Sequence, residues 1–236
     1  MNSIHPTAEI VGDVTWGAGI TVSAFARIVG PVQLGDRTWI GTGVVIGAPP
    51  EVRSVEHPPD ALSPSAGNGI VIGSDTVIRE YAQIHQGWQG TTRVGDGVFI
   101  MNQVYVAHDC AVEDGATLAG GVLLAGHVRV GRSANIGLGA AVHQRRYVGD
   151  GAMVGMGSVV TRDIVPFSKA YGNPARMHGV NSVGLRRAGV VGETVAEVER
   201  LYAGELTEET FVRLSRLPGL GSAAEGWLTH AARAEQ

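Results

Sequence analysis

An aliphatic residue falls on every sixth position of this chain over long stretches, and this period limits the possible folds more than any other feature of the sequence. A glycine or alanine usually follows it, as in Val130-Gly131 and Val148-Gly149. A fixed short period is typical of solenoids, in which each repeat covers the apolar face of its neighbour. A unit of six residues predicts an all-β fold, the parallel β-helix. The longest unbroken run consists of Val94, Ile100, Val106, Val112, Leu118, Leu124, Val130, Ile136, Val142, Val148, Val154 and Val160.

The same period is present from the N-terminus, in a run from Ile4 to Ile46 that is then interrupted. A Pro-Pro pair at 49–50 ends this run, and the prolines, serines and glycines that follow cannot continue a regular coil. The period resumes at Ile72 and breaks again briefly before the long run. We therefore predict two excursion loops in the coil, one near 48–71 and a shorter one at 87–93.

The C-terminal part of the chain changes from the six-residue period to helical spacing. The frame is lost near Pro166, and we predict a β-helix over residues 1–180 and a small helical domain over residues 181–236. A few short helices after a β-helix would cover its open end. The predicted helix starts are Asn181, a capping box of Thr194 and Glu197, then Thr207, and finally Ser222 with Glu225.

Residues 18 apart should stack on one face, because three hexapeptides complete one triangular coil. Val106, Leu124 and Val142 therefore share a face, and counting across the two loops adds Ile84 and Ile46. Both predicted loops leave from this same column. The hexads of the column carry four of the eight histidines of the chain, which are His85, His108, His127 and His143.

Composition agrees with a narrow coil and excludes several classes of protein. The chain has 35 glycines, which suit tight corners, and only 6% aromatic residues, which suits a thin interior. A net charge of −4 gives no sign of nucleic-acid binding. A single cysteine, Cys110, excludes an intrachain disulfide and suits a reducing compartment. With no signal peptide or long apolar segment in the sequence, we expect a cytoplasmic protein without membrane insertion.

Several local motifs, in the same order along most of the chain, resemble one known family. The strings AHDC, LAGHV, AAVHQ and YGNPA, followed by GVNSVGLRRAG, are similar to the UDP-N-acetylglucosamine O-acyltransferases of lipid A synthesis. The resemblance implies a left-handed β-helix and a homotrimer with active sites in the clefts between subunits. It also implies that the acyl donor is a thioester of acyl carrier protein, with no further cofactor and no metal.

The resemblance also assigns roles to individual residues. His108 matches the general base, Asp109 its neighbour, and Gly126 the residue whose backbone N–H faces the thioester oxygen. Met156, in VGMGSV, matches the residue that closes the far end of the acyl groove; alternatively, its side chain fills the interior of the coil. The remaining matches are to substrate-contacting positions, which are His85, Tyr105, His127, His143, Gln144, Asn181 and Arg187.

The sequence departs from the family mainly on the acceptor side. Where the family carries Gln-Asp-Leu-Lys, which binds the nucleotide sugar, this chain has Glu51-Val52-Arg53-Ser54. Tyr105 replaces the family's second histidine, Gln86 replaces an arginine, and Val183 replaces an acidic residue. We therefore expect UDP-N-acetylglucosamine itself to be a poor acceptor.

Acyl transfer from a thioester needs a base near neutral pH and a donor that faces the developing oxyanion. His108 and the N–H of Gly126 supply both, with Asp109 or a backbone carbonyl behind the imidazole, and Arg145 and Arg146 could help to dock an acidic carrier protein. The expected reaction moves a short or medium acyl chain to a hydroxyl or amine of a nucleotide-sugar-like or other small acceptor. Two alternatives are a zinc enzyme resembling the gamma carbonic anhydrases, whose His-x-x-x-x-His pair this chain lacks, and a non-catalytic scaffold.

Overall fold

The computed structural model describes residues 1–60, 63 and 67–234, and the coil it shows is built from very short strands. Residues 61, 62 and 64–66 of the loop predicted near 48–71, and the last two of the helical domain, lie outside the described residues. The strands are β1 Ser3–Ile4, β2 Glu9–Val11, β3 Val14–Trp16, β4 Thr21–Val22, β5 Arg27–Val29, β6 Val32–Leu34, β7 Trp39–Ile40, β8 Val45–Ala48, β9 Ile70–Ile72, β10 Val77–Ile78, β11 Gln83–His85, β12 Thr92–Val94, β13 Phe99–Ile100, β14 Tyr105–Val106, β15 Ala111–Val112, β16 Thr117–Leu118, β17 Leu123–Leu124, β18 Arg129–Val130, β19 Asn135–Ile136, β20 Ala141–Val142, β21 Tyr147–Val148, β22 Met153–Val154, β23 Val159–Val160, β24 Ser168–Gly172 and β25 Ala175–Val180.

These strands form the three faces of a parallel β-helix, which confirms the predicted fold class. Sheet A contains β1, β4, β7, β10, β13, β16, β19, β22, β24 and β25; sheet B contains β2, β5, β8, β11, β14, β17, β20 and β23; sheet C contains the seven remaining strands. In the regular part each strand pairs with the strand 18 residues further on, so that Val106 lies opposite Leu124 and Leu124 opposite Val142. The predicted column is therefore sheet B, and Ile84 and Ile46 belong to it.

The interior of the coil is a single apolar column. From Val22 to Val160 the period-six aliphatic residues point inward and are almost completely buried, as at Ile84, Val106 and Leu124, whereas Ile4 and Ile10 at the N-terminal end of the coil are exposed. Burial of such a side chain contributes about 1.5–3 kcal/mol, and the short repeat delivers it once per strand. The corners contain residues in the left-handed conformation. Asp109, His127 and Arg145 occupy equivalent corner positions after sheet B, with φ of 60°, 61° and 61°.

Two segments leave the coil, and both start from sheet B. The long one runs between β8 and β9, and the short one between β11 and β12. The short segment is held at its base by the side chain of Asn68, which donates to the carbonyl of Trp88 at 2.6 Å. Both segments therefore start from the sheet that carries the histidines.

The C-terminal part begins with a hairpin that the six-residue period did not predict. The antiparallel pair β24 and β25 extends sheet A after Pro166 breaks the frame. Four helices follow: α1 Ser182–Arg187, α2 Glu193–Ala203, α3 Glu208–Ser215 and α4 Gly221–Ala234. They enclose a second apolar cluster that includes Phe167, Leu185 and Leu214. None of the helices in the described part of the chain is long and apolar enough to cross a membrane.

The predicted helix starts are correct at two positions and wrong at one. The side chain of Asn181 accepts from the N–H of Gly184 and caps α1, and Thr207 forms a capping box with Thr210 at α3. The box predicted for Thr194 and Glu197 is wrong, because α2 begins at Glu193 after a glycine and has no side-chain cap. Helix α4 begins one residue before the predicted Ser222.

Candidate active site

His108 and Asp109 form a hydrogen-bonded pair at the corner that follows β14. Nδ1 of His108 lies 2.7 Å from Oδ2 of Asp109, and their side chains are only 13% and 5% exposed. An ionised carboxylate can only accept, so the proton of this hydrogen bond belongs to Nδ1. In the neutral imidazole the other ring nitrogen, Nε2, is then unprotonated and able to accept a proton from a substrate.

The carboxylate of Asp109 is itself fixed by the short excursion loop. Its Oδ1 accepts hydrogen bonds from the backbone N–H groups of Trp88, Gln89 and Gly90, at 3.1, 3.0 and 2.6 Å. Burial alone would raise the pKa of Asp109, but the hydrogen bonds from His108 and from these N–H groups outweigh it and hold the pKa below its usual value. Asp109 is therefore an ionised, oriented partner for the imidazole. The short loop supplies the three backbone N–H groups that hold its carboxylate in place.

Gly126 packs directly against the His108 ring, one coil further on. A Cβ at this position would lie 2.6 Å from Cε1 and 2.7 Å from Nε2, so only glycine fits beside the ring in this position. Within the described chain, the N–H of Gly126 has no hydrogen-bond acceptor. The residue that the resemblance assigns to the oxyanion thus packs against the imidazole and has an N–H without an acceptor among the described residues.

His127 completes the cluster around Asp109. Its Nε2 lies 3.6 Å from Oδ2 of Asp109, and its ring is perpendicular to that of His108 with 5.1 Å between the centroids. Burial lowers the pKa of His127, and the positive charge of Arg145 lowers it further against the attraction of Asp109. The lowered pKa favours the neutral form of His127, which competes less with His108 for the carboxylate.

A second network lies beside this pair, at the start of the long excursion loop. Glu51 accepts a hydrogen bond from the hydroxyl of Tyr105, and its Oε1 lies 3.0 Å from Nδ1 of His85. The same Nδ1 is 2.9 Å from the carbonyl oxygen of Pro49. His85 is only 8% exposed and contacts Glu51, and its contact with substrate stays a prediction.

An apolar groove of about 430 Å³ crosses the outer face of sheet B. His143 and Tyr105 are at its polar margins, and Gln144 is exposed beside His143. Met156 stands at the corner between sheets A and B and is 75% exposed, so the alternative that it fills the interior of the coil is wrong. The other residues that line the groove are Leu123, Ala125, Ala141, Val142, Val159 and Thr161.

Asn181 and Arg187 do not approach His108 within one chain. They line a different cavity of about 690 Å³, between the outer face of sheet A and the C-terminal helices. Asn181 is already used there, since its Nδ2 donates to the carbonyl of Gly151 while its Oδ1 caps α1. Arg187 is exposed at the cavity.

The cluster of His108, Asp109 and His127 is also the one group in the described chain that offers three metal-ligating side chains close together. The separation of 2.7 Å between Nδ1 of His108 and Oδ2 of Asp109 is that of a hydrogen bond. A zinc ion bound to both atoms at about 2.0–2.2 Å would require them to move apart. The site as it stands fits acid–base chemistry, and the absence of a metal stays a prediction.

Two parts of the site were not found from the sequence. The backbone N–H groups of residues 88–90 that hold Asp109 have no side-chain signature, although the break in the period at 87–93 marked their position. Glu51 belongs to the segment that departs from the family, but the sequence does not show its contacts. His85 lies 34 positions and Tyr105 lies 54 positions further along the chain. Only the coil register, which sets Gln83 opposite Tyr105, could have indicated this pairing.

Fold and site together define a hexapeptide-repeat acyltransferase. Residues 91–126 match the bacterial transferase hexapeptide model, and residues 163–210 match the model for the second domain of UDP-N-acetylglucosamine O-acyltransferase. The chain belongs to the UDP-N-acetylglucosamine O-acyltransferase family, as its similarity to curated members shows.

Two relatives and one solved structure illustrate the extent of the match. The acyl-[acyl-carrier-protein]–UDP-N-acetylglucosamine O-acyltransferase of Campylobacter concisus is 34% identical over 203 residues, which is 85% of this chain and 74% of that protein. The enzyme of the same name from Halorhodospira halophila is 35% identical over 223 residues, 86% of this chain and 83% of that protein. The structure of UDP-N-acetylglucosamine acyltransferase from Campylobacter jejuni, at 27% identity, superimposes with a TM-score of 0.78 over 94% of this chain and 95% of that one.

Proposed function

We propose that this chain transfers a short or medium acyl chain from the thioester of acyl carrier protein to a hydroxyl or amine of a nucleotide-sugar-like acceptor, with His108 as the general base. The observation that carries the proposal is the fixed pair of His108 and Asp109, with Gly126 packed against the imidazole and its N–H without an acceptor among the described residues. The names of the relatives, which specify an acyl carrier protein donor and a nucleotide-sugar acceptor, support the choice of substrates.

The arrangement performs the reaction in two steps without a covalent enzyme intermediate. Nε2 of His108 takes the proton of the acceptor hydroxyl or amine as the oxygen or nitrogen attacks the thioester carbonyl. The carbonyl oxygen becomes negative and accepts a hydrogen bond from the N–H of Gly126. The tetrahedral intermediate then expels the thiol of the carrier, which leaves with the proton returned by His108. Asp109 stays ionised throughout and stabilises the imidazolium.

The site is proposed to be completed by a second subunit of a homotrimer. The supporting observation is that Asn181 and Arg187 line the cavity beside sheet A, whereas His108 stands at the far corner of sheet B. In a closed cyclic trimer, the corner that carries His108 in one subunit can face the cavity that carries Asn181 and Arg187 in the next subunit. The exposed Arg145 next to the histidines is available to the acidic carrier protein, while Arg146 already lies 3.5 Å from Asp163.

The acceptor is proposed to differ from UDP-N-acetylglucosamine. Val52 and Ser54 stand where the family carries an aspartate and a lysine, and each lost polar contact costs about 1–3 kcal/mol of binding. Mass spectrometry of reactions that combine a series of acyl-carrier thioesters with UDP-sugars and aminosugars tests the proposal. We expect acyl transfer to one of these acceptors and slow or no turnover of UDP-N-acetylglucosamine. Absence of transfer from every carrier thioester would contradict the proposed reaction.

A further inference from the structure

We propose that Glu51 selects the acceptor, by binding a protonated amine that neighbours the hydroxyl to be acylated. This inference rests on the proposed function, which leaves the acceptor open. It assigns to the acceptor a specific feature, a cationic amino group, and it assigns the acyl chain to a hydroxyl.

The carboxylate of Glu51 is held by two side chains that both contact the same oxygen. Oε1 takes both contacts, with the Tyr105 hydroxyl and with Nδ1 of His85. Oε2 has no side-chain partner in the described part of the chain, and 30% of the side chain is exposed. A carboxylate fixed through one oxygen presents the other to a ligand without loss of further conformational entropy.

Among the described residues, the carboxylate of Glu51 has no arginine or lysine as an ion-pair partner. Burial alone would raise its pKa, but the hydrogen bonds from His85 and Tyr105 outweigh burial and lower the pKa below the usual value. A half-buried negative charge of this kind favours a cation and disfavours an anion in the space beside it.

The position of Glu51 places that space one coil from the corner that carries His108. β11 pairs with β14 so that Ile84 lies opposite Val106, and the ring of His85 packs on that of Tyr105 with 5.0 Å between the centroids. Tyr105 lines the mouth of the apolar groove. Burial raises the pKa of the Cys110 thiol to about 12, and the charges of both Glu51 and Asp109 add to this effect. Both carboxylates therefore lie close enough to Cys110 for their charges to affect its thiol.

A bound ammonium group cannot be the nucleophile, because its lone pair carries a proton. The group that gives its proton to His108 is then a neighbouring hydroxyl, and the product is an ester. An acceptor in which an acetyl group blocks the amine loses the charge and meets Glu51 as a neutral amide. A charged hydrogen bond of this kind corresponds to about a tenfold or larger difference in affinity.

The test compares UDP-glucosamine with UDP-N-acetylglucosamine at a pH where the amine is protonated. Their binding to the wild-type protein is measured by calorimetry and their acylation by mass spectrometry, with mild alkali to distinguish ester from amide. The key variant is Glu51→Gln, whose side chain can still accept from Tyr105 and His85 but carries no charge and presents an amide N–H₂ in place of Oε2. The control is Glu56→Gln, an equal change of charge at an exposed position of the same loop.

We expect wild type and Glu56→Gln to prefer UDP-glucosamine by about tenfold in both Kd and kcat/KM, and Glu51→Gln to lose that preference while it remains folded. Equal binding of the two sugars by wild type, binding of neither, a preference retained in Glu51→Gln, or an amide product would overturn the inference. Amine-selective binding that depends on Glu51 without turnover of either sugar would support the inference and contradict the proposed reaction alone.

Discussion

The carboxylate of Asp109 works in two directions, because one oxygen receives the backbone of the short loop and the other receives Nδ1 of His108. Asp109→Asn is the variant that separates these functions. Asparagine tolerates the left-handed conformation found at this position and keeps an acceptor for the loop. Its N–H₂ would then face Nδ1 of His108 and force the proton onto Nε2, the wrong tautomer for a base. We expect acyl transfer to fall by about 10²–10⁴-fold with little change in donor affinity. Activity within about twofold of wild type, measured by mass spectrometry, would contradict this role.

The lowered pKa of Asp109 also predicts how stability depends on pH. A carboxyl whose pKa is lower in the folded than in the unfolded state contributes stability above its unfolded value, about 3.9, and loses it as pH falls through the folded value. The difference in Tm between wild type and Asp109→Asn should therefore be largest near pH 6 and shrink below about pH 4. Thermal unfolding at several pH values measures it. A difference that grows on acidification would show that the carboxyl is not stabilised in its ionised form.

At the scale of elements, the groove on sheet B predicts which acyl chains fit. Met156 stands exposed at the corner between sheets A and B, in the position where the resemblance sets the end of the acyl groove. A methionine fills several methylene volumes, and each buried methylene contributes about 0.8 kcal/mol. We expect Met156→Gly to shift preference toward donors at least two carbons longer, by more than about tenfold in relative rate. The ratio of rates for two donors within one protein is insensitive to partial unfolding. An unchanged chain-length profile would exclude Met156 as the determinant.

The elements also show how far the sequence alone determines the structure. The inward residues of the coil, their stacking 18 apart and the convergence of histidines on sheet B were predictable, because one physical requirement, burial of an aliphatic residue per strand, repeats without change. The hairpin of β24 and β25 was not, since Pro166 ends the period and nothing local specifies the pairing. The start of α2 was misplaced because Thr194 and Glu197 have the spacing of a capping box while the helix begins earlier, after Gly192. The contacts of Glu51 depend on the path of a long loop, which the period does not describe.

The whole molecule is expected to be a homotrimer whose sites are shared between subunits. Light scattering at micromolar concentration should give three times the mass of one chain, and a monomer would remove the shared site. A mixed assembly tests the sharing directly. His108→Ala and Arg187→Ala are each expected to be inactive, but co-expressed chains should form trimers in which some clefts receive His108 from one subunit and Arg187 from the next. Random mixing restores about one quarter of the sites in a cyclic trimer. No recovery would indicate that both residues act within one subunit, and an active Arg187→Ala protein would show that Arg187 is not needed.

The central claim is that His108 is the general base of an acyl transfer. Its most direct test is to measure the rate of product formation by His108→Ala, by wild type and by the control His5→Ala. His108 lies at a corner outside the apolar column, so its removal should leave the chain folded, with a Tm lowered by the loss of its hydrogen bond to the carboxylate of Asp109. We predict that wild type and His5→Ala form acylated acceptor at equal rates, and that His108→Ala is slower by about 10²–10⁴-fold with unchanged binding of the carrier thioester. A folded His108→Ala protein that transfers the acyl chain at a rate close to wild type would contradict the account.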